Sequence, residues 1–188
     1  MNRNKKAAAM ILAVTGIWAA TAYGEDYVKY QKVIAVSFPG YHILRKTDFA
    51  GDIQRSQPSP GLVTGRFNYD DYRDFAAIIR HGVRKRFHSD KHSYDYYDGK
   101  EVVCYGSKSG GYRCREVTGG QFPLVLPLGW YLYVVPRGHR IGCFNDKLEK
   151  DYTTLEVDAL GREHTNKNAS SVLLYKRDGT ESICVTAD

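Results

Sequence analysis

The chain has 188 residues, of which 43% are apolar and 26% charged, enough for one domain with its own core and too few for two. Lys and Arg number 27 against 21 Asp and Glu. Setting aside Arg3, Lys5 and Lys6 of the leader leaves 24 basic residues against 21 acidic ones, a net charge of about +3 with His neutral. That balance leaves little global attraction to nucleic acid, so an anionic partner has to be met by a local patch.

Arg3, Lys5 and Lys6 precede an apolar stretch from Ala7 to Ala20, and the small residues Ala20-Thr21-Ala22 and Ala22-Tyr23-Gly24 follow. This is the layout of a cleaved secretory signal peptide over residues 1–24, with a single mature domain over 25–188 that begins near Tyr23 or Glu25. A retained anchor is the alternative, but the apolar run is shorter than the ~20 residues a spanning helix needs. Four cysteines follow the leader: Cys104, Cys114, Cys143 and Cys184. An even number in an exported chain predicts two disulfides. Cys104 and Cys114 flank a Gly-rich centre that reads as a hairpin turn, which pairs them and leaves Cys143 with Cys184. Zinc binding by the four is the alternative, and no closely spaced Cys pair supports it.

In chain order, residues 26–38 carry two periods at once. Tyr27, Tyr30, Val33 and Ile34 line one helical face, while Val33-Ile34-Ala35-Val36 also fits a strand, and Pro39-Gly40 ends either. Tyr41 to Leu44 reads as extended, and Thr47 is placed to cap a short helix that starts at Asp48 and carries Phe49 and Ile53 on one side. Two prolines between Ser56 and Gly61 forbid a regular element. Leu62-Val63-Thr64 leads into a polar loop, and Phe75 to Ile79 leaves it apolar without alternation, as a central strand covered on both faces does. Arg80 to His92 is a basic excursion, followed by Tyr94-Asp95-Tyr96-Tyr97 and a turn at Asp98-Gly99.

Glu101 to Tyr105 pairs with Tyr112 to Val117 as a hairpin, and Leu124 to Leu126 and Trp130 to Val135 are further strands. Arg137 to Lys150 reads as a loop held by its disulfide, and Thr154 to Leu160 as a strand. The last hairpin joins Ser171–Lys176 to Glu181–Val185 through Asp178-Gly179. Counting back from that turn sets Lys176 opposite Glu181, Leu174 opposite Ile183 and Val172 opposite Val185. The fold class expected is α+β, mainly antiparallel β, in one disulfide-bonded domain with few short helices.

The polar loop from Gly65 to Asp74 spaces Asn68, Asp70 and Asp74 as ligands for a calcium ion, which needs six to eight oxygens. It resembles the aspartate-rich loop of integrin-type FG-GAP and VCBS-like repeats, Asp-x-Asn-x-Asp-Gly-x-x-Asp before an apolar strand. Asn68, Asp70 and Asp74 match, Arg66 replaces the first aspartate and Asp71 the glycine. Over about residues 41–188 the chain is also similar to uncharacterised secreted bacterial proteins that carry one such loop. Those proteins end in a Ser-Val-Tyr-type strand, an Asp-Gly turn and a final aspartate, here Ser171–Tyr175, Asp178-Gly179 and Asp188. The resemblance implies a degenerate calcium-type loop over 66–74 and no particular activity. A guanidinium at the first ligand position is placed to pair with Asp70 or Asp74 in the ion's stead. No cofactor is therefore expected, with calcium as the alternative.

For function, Arg80, Arg84, Lys85, Arg86 and Lys91 interleave with Tyr94 and Tyr96, combining cations with flat rings as a surface for an anionic polymer does. The partner expected is an anionic cell-envelope component or an acidic protein rather than nucleic acid; a solvated loop is the alternative. His88 and His92, four apart, would share a helical face and could hold a transition metal. Trp130-Tyr131-Leu132-Tyr133 is either a sugar-binding platform or a core strand. Asn168-Ala169-Ser170 is a glycosylation sequon, meaningful in a eukaryotic secretory path. No hydrolase serine motif, zinc-protease motif or phosphate-cradling loop occurs. A pair among Glu101, Glu116 and Asp158 would be needed for acid/base work. The reading is a secreted or periplasmic non-enzymatic binding or accessory protein; the alternative is a secreted hydrolase acting on cell-envelope material.

Overall fold

The computed structural model describes residues 26–89, 91–117, 121–144, 150–164, 169–175 and 181–187. The expected signal peptide, the Asn168 sequon, Asp188 and the Asp178-Gly179 turn lie outside them. Residues 26–37 form helix α1, in which Tyr30 and Ile34 are buried and Val36 is 84% exposed. The helical period wins over the strand reading because it gathers Tyr27, Tyr30, Val33 and Ile34 on one side and sends Val36 to water. After the turn, β1 (Tyr41–Ile43) is extended as expected. The next short helix differs from expectation. A single 3-10 turn covers Lys46–Asp48, and α2 (Gly51–Ser56) starts only after Ala50, with no side-chain cap. Thr47 therefore lies inside the first turn, while Asp48 Oδ2 accepts from Arg45 N–H at 2.8 Å.

The first sheet holds β1, β2 (Leu62–Gly65), β3 (Asp74–His88), β4 (Ser93–Gly106), β5 (Tyr112–Glu116) and β6 (Phe122–Leu124). All its pairings are antiparallel: β1 and β2 share one edge of β3, and β5 and β6 share the far edge of β4. The apolar run 75–79 is central, as its lack of alternation predicts. Phe75, Ala77 and Ile79 pack with Tyr30 and Ile34 of α1. Ala76 and Ile78 pack with Tyr131, Leu132, Leu160 and Leu173 of the second sheet. Burying both faces of one strand draws its hydrophobic stabilisation from two layers at once.

The second sheet runs β12-β11-β10-β7, with β7 at Trp130–Val135, β10 at Ala159–His164, β11 at Ala169–Tyr175 and β12 at Glu181–Ala187. A two-stranded ribbon of β8 (Arg140–Phe144) and β9 (Lys150–Thr154) covers its outer side. The expected loop over Arg137–Lys150 thus contains a strand, and 155–158 connects two strands rather than belonging to one. The register of the last hairpin also differs by one residue: Tyr175 faces Glu181, Leu173 faces Ile183 and Val172 faces Cys184. A one-residue slip turns every side chain over. The observed register sends Cys184 outward with Val172, toward Cys143 of β8, and leaves Leu173 for the main core.

Two disulfides join Cys104 to Cys114 and Cys143 to Cys184. The first links partners that face each other across β4 and β5, as the Gly-rich turn predicts. Among the described residues, no helix is long and apolar enough to cross a membrane.

Candidate functional site

The aspartate loop between β2 and β3 is closed by its own backbone. Asp74 is fully buried and accepts from Phe67 N–H at 2.8 Å and from Gly106 N–H of β4 at 2.9 Å. Burial pushes its carboxyl up to about 6 against the pull of those two N–H groups. Asp70 receives Tyr72 N–H on one oxygen and the Asn68 amide on the other, and the Asn68 carbonyl accepts from Asp70 N–H. Both Asp74 oxygens, both Asp70 oxygens and the Asn68 oxygen are therefore occupied by protein donors. Among the described residues, no group of three His, Cys, Asp or Glu gathers to hold a metal. Arg66 does not replace the ion as expected: its guanidinium lies 3.9 Å from the exposed Asp71, not from Asp70 or Asp74. Its backbone is held by Asp158, whose Oδ2 accepts from Arg66 N–H and whose Oδ1 accepts from Arg137 N–H.

Beyond Ile79 the basic stretch is neither a loop nor a helix. The strand β3 continues to His88 and pairs with β4 from Ser93, after an irregularity in register between Arg80 and Arg84. Asp98-Gly99 lies inside β4 and makes no turn. His88 faces Ser93 at the end of a strand, so the helical spacing that would align His88 with His92 does not occur. Residues 82–88 and 91–94 are exposed, while 95–98 are half-buried. The result is a two-stranded arm that stands clear of the sheet.

Alternation along the arm separates what the sequence interleaves. Arg84, Arg86 and His88 share one face with Tyr97, Asp95 and Ser93, their cross-strand partners. On that face Asp95 accepts from Arg84 and, at 2.8 Å, from Arg86 Nε, and these partners hold its carboxyl below the usual range, Arg86 most strongly. Arg80, nearer the sheet, lies over the Tyr97 ring at 4.4 Å. The opposite face carries Lys85, Phe87, Tyr94 and Tyr96. Phe87 and Tyr94 stack at 5.0 Å, and Tyr96 follows at 6.3 Å from Tyr94. Lys85 Nζ pairs with Asp98 at 2.6 Å, which holds that carboxyl low as well. Lys91 is exposed at the tip.

Of the expected binding residues, then, Arg80, Arg84 and Arg86 come together on one side and Lys85, Tyr94 and Tyr96 on the other. Sequence reasoning missed Phe87 and the two aspartates, Asp95 and Asp98, that occupy the cations. The signal was present: Arg84, Arg86 and His88 alternate with the apolar Val83 and Phe87 as in a ribbon, with Lys85 the exception.

The carboxylates proposed for acid/base work do not converge. Glu101 lies on the β4 face toward the second sheet and pairs with Arg162, and burial raises its carboxyl. Glu116 pairs with Lys100, which reaches the rings of Phe38 and Tyr41 on the α1 side. The stretch Trp130–Tyr133 offers no open platform. Tyr131 and Leu132 are buried, and the half-buried Trp130 packs between Phe122, His164 and the Arg162 guanidinium. No family model, curated protein or solved structure matches the chain.

Proposed function

We propose that this is a secreted or periplasmic binding or accessory protein, without catalytic chemistry of its own, that holds an anionic cell-envelope component or an acidic protein through the arm formed by β3 and β4. One observation carries the reading: a paired, two-faced ribbon with guanidinium groups on one side and stacked rings on the other projects into solvent. A ribbon that contributed only to the core would not keep Phe87 and Tyr94 more than 40% exposed. The two disulfides suit an oxidising compartment. Between Arg80 and Asp98 five Lys and Arg face three Asp, a modest excess that suits a patchy anionic surface better than a phosphate backbone.

The partner's anionic groups would compete with Asp95 for Arg84 and Arg86. Replacing Arg84, Lys85 and Arg86 together by Glu is expected to abolish low-salt retention on an anionic envelope preparation. Asp95→Asn, which releases both guanidinium groups, is expected to strengthen retention and steepen its salt dependence. Retention unchanged in both variants would remove the arm from the function.

A further inference from the structure

At the foot of the arm a cleft of about 410 Å³ is lined by Tyr27, Gln31, His42, Arg45, Asp48 and Arg80, with Ile43 and Thr47 completing it. Its size lies within the range of small-ligand sites. The wall is already satisfied: Tyr27 Oη donates to Ile43 O at 2.9 Å, and Gln31 Oε1 accepts from Ile43 N–H at 2.9 Å. Arg45 is fixed at its backbone by Asp48. His42 and Arg80 are cross-strand partners, so both reach the cleft from one face of the sheet, and Tyr97 supports the Arg80 guanidinium from beneath.

The charges set this cleft apart from the rest of the arm. Further along β3, Arg84, Lys85 and Arg86 each have a carboxylate partner. Among the described residues, neither Arg45 nor Arg80 has one within 4.0 Å. Two guanidinium groups, an imidazole and two hydroxyls therefore border one cavity, with a single carboxylate beside them. Guanidinium forks hold carboxylate and phosphate oxygens, and Asp48 has an oxygen left to accept from a neighbouring hydroxyl.

We propose that this cleft binds a small hydroxylated anion, a sugar acid or a phosphate-bearing polyol, with Arg45 and Arg80 on the anionic group and Asp48 on a hydroxyl. The site shares Arg80 with the guanidinium side of the arm, but its other groups lie off the arm and it does not depend on the partner assigned there. The test is an amide-resolved NMR titration of the mature chain with glucuronate, inorganic phosphate and, as the neutral control, glucose. Saturable shifts at His42, Arg45, Thr47 and Arg80 with glucuronate and none with glucose are expected. Stronger shifts with phosphate than with glucuronate would assign the anionic group as phosphate rather than carboxylate. Arg45→Ala is expected to weaken binding by about tenfold or more, and Arg45→Lys to restore part of it. The spectrum of each variant shows directly whether it is folded. No saturable shift with either anion, equal shifts with glucose, or shifts confined to residues 83–96 would overturn the inference. Such a failure leaves the arm reading standing, because that reading is judged by envelope retention alone.

Discussion

Asp74 joins three segments through one carboxylate: the loop before it, β3 on which it sits, and Gly106 of β4. Its carboxyl lies at about 6 in the folded protein, against an ordinary value of 3.8. Between those values the folded state keeps a proton that the unfolded chain has lost. The resulting stabilisation is complete below pH 4 or so and is lost as pH rises through about 6. Relative to Asp74→Asn, the wild-type chain is thus expected to lose on the order of 3 kcal/mol between pH 4 and pH 7 in urea denaturation. A difference between the two proteins that stays flat over that range would refute the buried-carboxyl account. Gly106 completes the arrangement, since a Cβ there would lie 2.5 Å from the Arg73 carbonyl oxygen, a contact that only glycine avoids. The sequence could not separate this role from calcium binding. A carboxylate that ends a polar loop before an apolar strand reads alike whether it faces an ion or two N–H groups.

At the scale of elements the arm is the feature least legible beforehand. The central strand was readable because burial on both sides writes an unbroken apolar run. Its continuation is exposed on both sides, so no core pattern marks it, and four Lys and Arg in seven residues from Arg80 to Arg86 looked like solvated loop. Only the parity of cations and rings recorded the ribbon. The final hairpin failed in the opposite way. Its strands were evident, but their pairing differs by one residue from the register counted back from Asp178-Gly179, which turns every side chain over. The need for Cys184 to reach Cys143 held the information that corrects it. Because the arm contributes little to either core, replacing residues 83–95 by Asn-Gly is expected to move the Tm by less than about 5 °C in a calorimetric scan. Loss of the cooperative transition would mean that the arm is part of the folding unit.

Across the whole molecule, α1, the first sheet, the second sheet and the β8–β9 ribbon stack in that order, and the two disulfides act on different scales. Cys104–Cys114 closes a separation of 10 residues within one hairpin, whereas Cys143–Cys184 closes 41 residues and ties the outer ribbon to β12. Chain-entropy arithmetic gives about 3 kcal/mol for the shorter closure and about 4 kcal/mol for the longer. Replacing Cys143 and Cys184 by Ala should lower the unfolding free energy by roughly that larger amount, with hydrogen exchange accelerated first in β8 and β9. Equal protection of the ribbon in both forms would show that its packing on Leu155, Ala159 and Val172 suffices without the bond. Antiparallel class and the Cys104–Cys114 pair were legible because nearby residues determine them, and the Cys143–Cys184 pair followed as the remainder. The layer order was not, since it depends on which distant face covers which.

Tyr27 and Gln31, reaching from α1 to the outer side of β1, have a meaning beyond the cleft they help to wall. They engage Ile43 N–H and the carbonyls of Tyr41 and Ile43, the groups that a strand from another molecule would use to join the sheet. Two side chains of the protein's own first helix thus occupy the outward groups of β1, and strand addition along this border would first have to displace them.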